Sequence, residues 1–384
     1  MDFKLSNEQQ MIQDTARGFA QKDLAPVAQK LDRDKDFSIL VANVKKLAQL
    51  GFMGLNVPEA YGGANAGAVA LSLALTEIGK ACASTAVTMS VTNMVAELLV
   101  EFGTETQKQK HLPGLMSGEH VAGSFCLTES SAGSDPTGMK TTAVPCDGGY
   151  LINGSKLFIT SAEYAGIFIV WAVTDKLAQR GRGISTFIVE RGTPGCRAGR
   201  NEEKMGQRGS ATNEVFFEDC RVPRENLLGQ LNAGYNIALA ELAGGRIGIG
   251  SLALGIGQAA MDFATAYARD RIQFGKSIAS FQALQWMIAD AYTELDAARL
   301  LVLRAASLKE AGQPYAKEAA MGKLYASEAA NRACYSAVQM LGGYGYVEEY
   351  PVERYYRDAR VTTLYEGTSE IQRLVIARSI LGNG

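Results

Sequence analysis

Apolar residues recur at helical spacing in two long stretches of the chain, residues 1 to about 118 and from about 229 onward, and switch to strand spacing between them. In the first stretch Leu71, Leu75 and Ile78 mark a buried helix stripe. Leu5-Ser6 followed by Gln9 predicts a helix start, with Ser6 as cap and Gln9 returning the bond. In the middle stretch Ile167–Val173, Ile184–Val189 and Glu214–Phe217 are β-branched and aromatic runs separated by turn residues. Asn153-Gly154 between apolar runs predicts a hairpin turn. In the last stretch Leu284, Ile288, Ala291, Leu295, Ala298, Val302 and Ala305 alternate steps of four and three, the seam of a helix in a near-antiparallel bundle. Gly312-Gln-Pro314 ends that helix, and a second runs from about Tyr315 to Leu341 before Gly342-Gly343. The pattern predicts an α+β fold, mostly α: an N-terminal helical domain (1–118), a central antiparallel β domain (119–228) and a C-terminal helical bundle (229–384).

Composition narrows the function. Lys and Arg number 38 against 40 for Asp and Glu, so no general field favours nucleic acid or an anionic membrane as partner. No apolar run approaches the ~18 residues that span a bilayer, and the acidic start MDFKLSNEQQ lacks the apolar stretch of a signal peptide. Two histidines, His111 and His120, leave no basis for a His-rich metal site. The six cysteines include no CxxC pair and read as reduced thiols. A bacterial cytoplasm is the expected location; a processed mitochondrial matrix protein would look the same.

Five segments invite a chemical reading. Gly248-Ile-Gly250-Ser-Leu-Ala253 and Gly255-Ile-Gly257-Gln-Ala-Ala260 match GxGxxA, but they lie in helical sequence and read as close helix packing rather than a dinucleotide turn. The polar loop Leu127–Asp135 has hydroxyls and backbone N–H groups suited to a flavin ring or a phosphate, or is a surface turn. Arg269–Lys276 offers cations and an aromatic to a nucleotide, or is simply a helix end with Gly275 as its stop. Tyr365–Gln372 places Glu366 just before a helix, with Ser369 and Gln372 fitting a capping box. The N–H groups there suit a cofactor phosphate. Glu366 is either a solvated loop acid or, beside a buried cofactor, a base whose pKa desolvation raises.

Taken together these segments resemble the acyl-CoA dehydrogenase family over essentially the whole chain. FCLTESSAGSD (Phe125 to Asp135), QMLGGYGYVEEYPVERYYRDAR (Gln339 to Arg360) with YEGTSEIQ, RIQFGK (Arg271 to Lys276) and LAGGRIGIG (Leu242 to Gly250) carry the resemblance, four in register. It implies helical, β and four-helix domains in that order, and a homotetramer holding FAD at subunit interfaces. Phe125, Leu127, Thr128, Gly133 and Ser134 would contact the flavin, with Ser134 also near the CoA chain. Phe158 would stack on the ring, with Ile159 beside it and Thr160 bonded near the reactive nitrogen. Arg271, Phe274 and Gln282 would hold the nucleotide, completed by Gln339, Gly342, Gly343, Thr368, Ser369 and Glu370. Ala243, Arg246, Tyr365 and Gly367 would face the acyl-CoA substrate. Glu366 matches the catalytic base, which some branches carry at the place of Gly245. Electron-transfer flavoprotein would be the electron acceptor.

The resemblance therefore implies α,β-dehydrogenation of a short- to medium-chain acyl-CoA to the trans-2-enoyl-CoA. Phe158 and the GGRIG around Arg246 look most like the short-chain, butyryl-CoA dehydrogenase-like branch. Ala243 stands where many relatives have Asp or Asn. An oxidase-like relative shares the base but is typically much longer. A desulfinase or non-catalytic relative tends to lose the carboxylate that Glu366 keeps.

Overall fold

The computed structural model describes residues 4–382; the first residues of the acidic start lie outside them. The N-terminal helices are α1 (Asn7–Phe19), α2 (Ala25–Asp34), α3 (Phe37–Gln49), α4 (Gly67–Ala81), α5 (Ala83–Phe102) and α6 (Glu105–Met116). Ser6 and Gln9 cap α1 reciprocally. One π turn, Ala20–Leu24, joins α1 to α2. The stripe on α4 is part of a helix buried on nearly all sides.

The central strands are β1 (Gly123–Cys126), β2 (Thr142–Cys146), β3 (Gly149–Thr160), β4 (Ile167–Val173), β5 (Ile184–Glu190), β6 (Cys196–Asn201), β7 (Thr212–Pro223) and β8 (Leu227–Leu228). They form one sheet in the order β6-β7-β3-β2-β4-β5-β8, with β1 on β4. Pairing is antiparallel except where β4 lies parallel to β1 and touches β2. Successive residues of β4 serve two cores. Ile167, Ile169 and Trp171 join a cluster with Val95, Leu98 and Leu112 of the helices, while Phe168, Val170 and Ala172 pack on β3 and β7.

The Asn153-Gly154 turn does not form. The β2–β3 hairpin closes instead at Asp147-Gly148, and β3 continues through Asn153, where its register against β7 slips. Asn153 spends its amide across the ladder, donating to Asp219 Oδ1 at 3.1 Å and accepting from the Asp219 N–H at 2.8 Å. Those bonds, with Asp219 in the left-handed region, make a bulge out of a turn sequence.

The C-terminal elements are α7 (Gly234–Asp270), a small hairpin of β9 (Ile272–Gln273) and β10 (Lys276–Ser277), then α8 (Gln282–Glu310), α9 (Ala316–Leu341), α10 (Val352–Arg360) and α11 (Ser369–Leu381). Helix α7 is the axis of the molecule, packed by α4, α5, α8, α9 and α10. Its glycines permit this: a Cβ at Gly250 would lie 3.0 Å from Val302, and one at Gly257 would lie 3.0 Å from Ala330. Contrary to the sequence expectation, α5 and α7 are long and apolar enough to cross a membrane by length and composition. Here 89% and 83% of their most apolar windows are buried within the protein. Gly275 is not a helix stop. Helix α7 ends at Asp270, and Phe274 and Gly275, both at positive φ, form the turn between β9 and β10.

Candidate active site

Between α10 and α11 the chain makes two consecutive left-handed residues, Glu366 (φ 53°) and Gly367 (φ 86°). Glycine takes that conformation freely, but a glutamate there is strained and must be held by its surroundings. Gln372 does part of this, donating from Nε2 to the carbonyls of Glu366 (3.0 Å) and Gly367 (2.8 Å). Lys323 of α9, with no exposed surface, donates to the Gly367 carbonyl at 2.7 Å. Gln372 was expected to close a capping box with Ser369. The cap is Thr368, whose hydroxyl accepts from the Ile371 N–H, so Gln372 is free to clamp the turn and Ser369 bonds Glu328 at 2.7 Å.

The turn aims the Glu366 carboxyl inward. The residue is half-buried, yet its Oε2 is shielded from solvent and has no hydrogen-bond partner among the described residues. It faces α7 where that helix has no side chain: a Cβ built at Gly245 would lie 2.9 Å from Oε2. Desolvation raises the Glu366 pKa to about 7 against the pull of Lys323 and Arg246. Burial likewise lowers Lys323 to about 8 and lowers Arg246, with Glu366 opposing both. Arg246 is buried and its Nε has no hydrogen-bond partner among the described residues. Tyr365 accepts from Gln207 at 3.1 Å, and Ala243 is buried one turn before Ile247 on α7. The arrangement is a dry carboxyl of near-neutral pKa beside two cations that limit its rise. A group of that kind can accept a proton from a carbon acid placed against it.

The β domain offers a second set. Phe125 of β1 packs on Trp171 at 4.3 Å between ring centroids. Leu127 is buried, Thr128 half-buried, and Gly133 and Ser134 exposed. This loop is pinned by Glu129, which accepts from the N–H groups of Lys140 (2.6 Å) and Thr141 (3.0 Å) and from buried Lys156 (2.7 Å). Beside it β3 slips register between Lys156 and Ile159, and Phe158 sits at φ 58° and is 60% exposed. Ile159 points into the core, and Thr160 is half-buried with its carbonyl bonded to Ser124. A bulky residue in the left-handed region that presents an aromatic face to solvent fits a planar ring system as its missing neighbour.

The third set lies at the end of the bundle. Arg271, Phe274, Gln339, Gly342 and Gly343 line one open groove of about 690 Å³. The Arg271 guanidinium stands 5.4 Å from the Tyr344 ring, and Phe274 is 91% exposed. Gln282, first residue of α8, is exposed and lies outside the lining residues. Glu370 is exposed in the first turn of α11. An open groove with a cation and aromatics suits a nucleotide.

Residues 6–119 match the acyl-CoA dehydrogenase N-terminal domain, 124–220 the middle domain and 232–381 the C-terminal domain. The chain belongs to the acyl-CoA dehydrogenase family. It is an oxidoreductase of that family, whose members use FAD. It is 45% identical over 99% of its length to acryloyl-CoA reductase (NADH) of Anaerotignum propionicum, covering 96% of that protein. It is 47% identical over 98% of its length to the short-chain specific acyl-CoA dehydrogenase of Mus musculus mitochondria, covering 91% of it. Among solved structures it superposes with a TM-score of 0.97 on a chain reported under "Electron transferring flavoprotein of Acidaminococcus fermentans: Towards a mechanism of flavin-based electron bifurcation". The identity there is 46%, covering 99% of this chain and 100% of that one.

The holding groups Lys323, Gln372 and Gln207 were not legible as site residues. Lys323 stands in an alanine-rich helix where a lysine reads as solvent-facing, and its partner is a backbone carbonyl 44 residues away.

Proposed function

We propose that Glu366 removes the α proton of an acyl-CoA thioester in an α,β-dehydrogenation that yields the trans-2-enoyl-CoA. The observation that carries this is the Glu366 carboxyl, strained into place, shielded and unpartnered, with a pKa of about 7. A base works best when its pKa lies near the working pH. Ionised, it is held within the field of Lys323 and Arg246; protonated, it costs little to bury. Gln372 and Lys323 fix the Glu366–Gly367 turn from which the carboxyl projects.

FAD, when bound, supplies the hydride acceptor that an unactivated β carbon requires. Phe158, Thr160 and the loop Phe125–Ser134 would hold its ring, and Arg271, Phe274, Gln339, Gly342 and Gly343 would take the nucleotide part. Gln282, Thr368, Ser369 and Glu370 complete that site, partly across the interface of a homotetramer. Ser134, Ala243, Arg246, Tyr365 and Gly367 face the substrate. The relatives support a short acyl chain, electron-transfer flavoprotein as acceptor, and a bacterial cytoplasmic or mitochondrial matrix location.

Anaerobic bleaching of the bound flavin with butyryl-, isobutyryl-, 2-methylbutyryl-, isovaleryl-, hexanoyl- and octanoyl-CoA tests the reading. Bleaching by one or two members is expected. FAD-loaded protein that none of them bleaches sinks the assignment to short and medium saturated chains.

A further inference from the structure

Gly245 borders a cavity whose chemistry the α-proton step does not use. The cavity lies among α4, α5, α7 and the end of α8, and at about 10 Å³ has room for roughly one water. Part of the reason is Met94, whose Cε and Sδ lie 2.7 and 2.8 Å from the position of a Cβ at Gly245. A methionine thioether is easily moved, so Met94 leaves room for an acyl chain that approaches Glu366 on this side to enter the cavity.

One wall there is polar. Lys309 pairs with Glu97, and Asn56 Nδ2 donates to Glu97 Oε1 at 2.5 Å. These groups meet Glu241 over Gly244: a Cβ at Gly244 would lie 2.9 Å from Lys309 Nζ, 3.6 Å from Glu97 Oε2 and 3.7 Å from Glu241 Oε1. Glu241 is 4% exposed. Its Oε1, and Asn56 Oδ1, are buried without a hydrogen-bond partner among the described residues. Burial first, then Glu97, pushes Glu241 well above the usual carboxylate range and favours its protonated form. Lys309 stays charged because its ion pair with Glu97 opposes its burial. A pocket for a plain hydrocarbon tail needs none of this, and buried polar atoms left unpaired are costly.

We infer that the acyl pocket accepts a chain ending in a neutral hydrogen-bonding group, a hydroxyl, with Glu241 and Asn56 as the specificity-determining residues. The inference rests on the reading of Glu366 as base, which fixes where the reacting carbons lie. A terminal carboxylate is disfavoured by Glu97, and a terminal ammonium by Lys309. Glu241 precedes Gly245 by four residues, so the polar wall lies about one helical turn, ~5.4 Å, along α7 from the reacting carbons. That places the hydroxyl at the end of a short chain.

The test uses FAD-loaded protein carrying Glu366→Gln, which keeps the pocket and should not oxidise the ligand. Calorimetry compares 4-hydroxybutyryl-, 5-hydroxypentanoyl- and 6-hydroxyhexanoyl-CoA with pentanoyl-, hexanoyl- and heptanoyl-CoA, each pair differing only by hydroxyl for methyl. In at least one pair the hydroxyl ligand should bind tenfold or more tightly, because a site built for a hydroxyl leaves its own groups unpaired against a methyl. Adding Glu241→Leu, or separately Asn56→Leu, should reduce that ratio toward one. Equal or tighter binding of the methyl ligand in all three pairs overturns the inference, as does a preference that survives both added substitutions. If an added substitution prevents FAD loading, the paired ratios in the parent protein still decide. The base reading fails separately, if the Glu366→Gln protein still bleaches with the plain chains.

Discussion

The carboxyl end and the nucleotide end of the proposed site are built on opposite plans. Around Glu366 the supporting groups are enclosed: Lys323 and Gln372 have no exposed surface, and Arg246 is buried. At the groove Phe274 is 91% exposed and Tyr344 42% exposed, and Gly342 and Gly343 face solvent. The proton-transfer machinery is thus preformed within one chain, where desolvation can tune it. The nucleotide end is a bare aromatic surface that a cofactor and a second subunit would cover. Chemistry that depends on a shifted pKa needs a rigid dry shell, whereas binding a large cofactor needs an opening through which it can enter.

The strongest way to break this contrast is Glu366→Gln. The rate of flavin bleaching should fall by about 10²–10⁴-fold or more, while the protein still purifies with FAD. Loss of the flavin in this variant would mean that the two ends are not independent. The converse change, Arg271→Ala with Phe274→Ala, should weaken FAD binding by roughly 10- to 100-fold through lost stacking and charge. Equilibrium titration of apoprotein with FAD measures it. Bleaching by the molecules that still hold FAD should fall far less than in the first variant.

A smaller effect sharpens the comparison at the enclosed end. Gln372→Leu removes both hydrogen bonds that its Nε2 donates to the Glu366 and Gly367 carbonyls and leaves the strained turn to Lys323 alone. The bleaching rate at saturating substrate should drop by about tenfold, because misplacing a base by a fraction of an ångström is costly, with little change in the concentration that gives half the maximal rate. An unchanged rate would show that Lys323 and the packing of α9 suffice.

The same contrast explains what the sequence could reveal. The order of helices, strands and helices follows from spacing, because burial acts on every residue of an element, as the seam from Ala291 to Ala305 illustrates. Single turns were harder. Asn153-Gly154 has the composition of a hairpin, but its cross-strand partner Asp219 is 66 residues away. Ser369 and Thr368 are both good caps, and only Ser369's bond to Glu328 of α9 decides between them. Glu366 is legible through its motif and not through local physics, since nothing in the flanking residues says that α7 presents Gly245 to it. Phe158 carries no local sign of a bulge. The polar wall of Glu97, Glu241 and Lys309 is drawn from three helices, and each residue alone reads as a solvated charge.

The mildest prediction concerns stability and isolates the cost of keeping Glu366 dry. Its folded pKa is raised from 4.5 to about 7, so the folded protein holds a proton that the unfolded chain has released. Below about pH 4.5 both states are protonated and Glu366 costs nothing. As the pH rises toward 7 the unfolded state gains by ionising while the folded state does not, and stability is lost across that window. Above 7 the loss is complete and constant. The Gln variant has no such titration, so its melting temperature should match that of the wild type near pH 4.5. It should then pull ahead by a few degrees by pH 7.5, in FAD-loaded, substrate-free protein. Asp358, also raised to about 7 by burial, contributes equally to both proteins and cancels. A gap that is constant with pH would mean that the Glu366 carboxyl is solvated in the free enzyme, and the contrast between a dry end and an open end would collapse to a difference in shape alone.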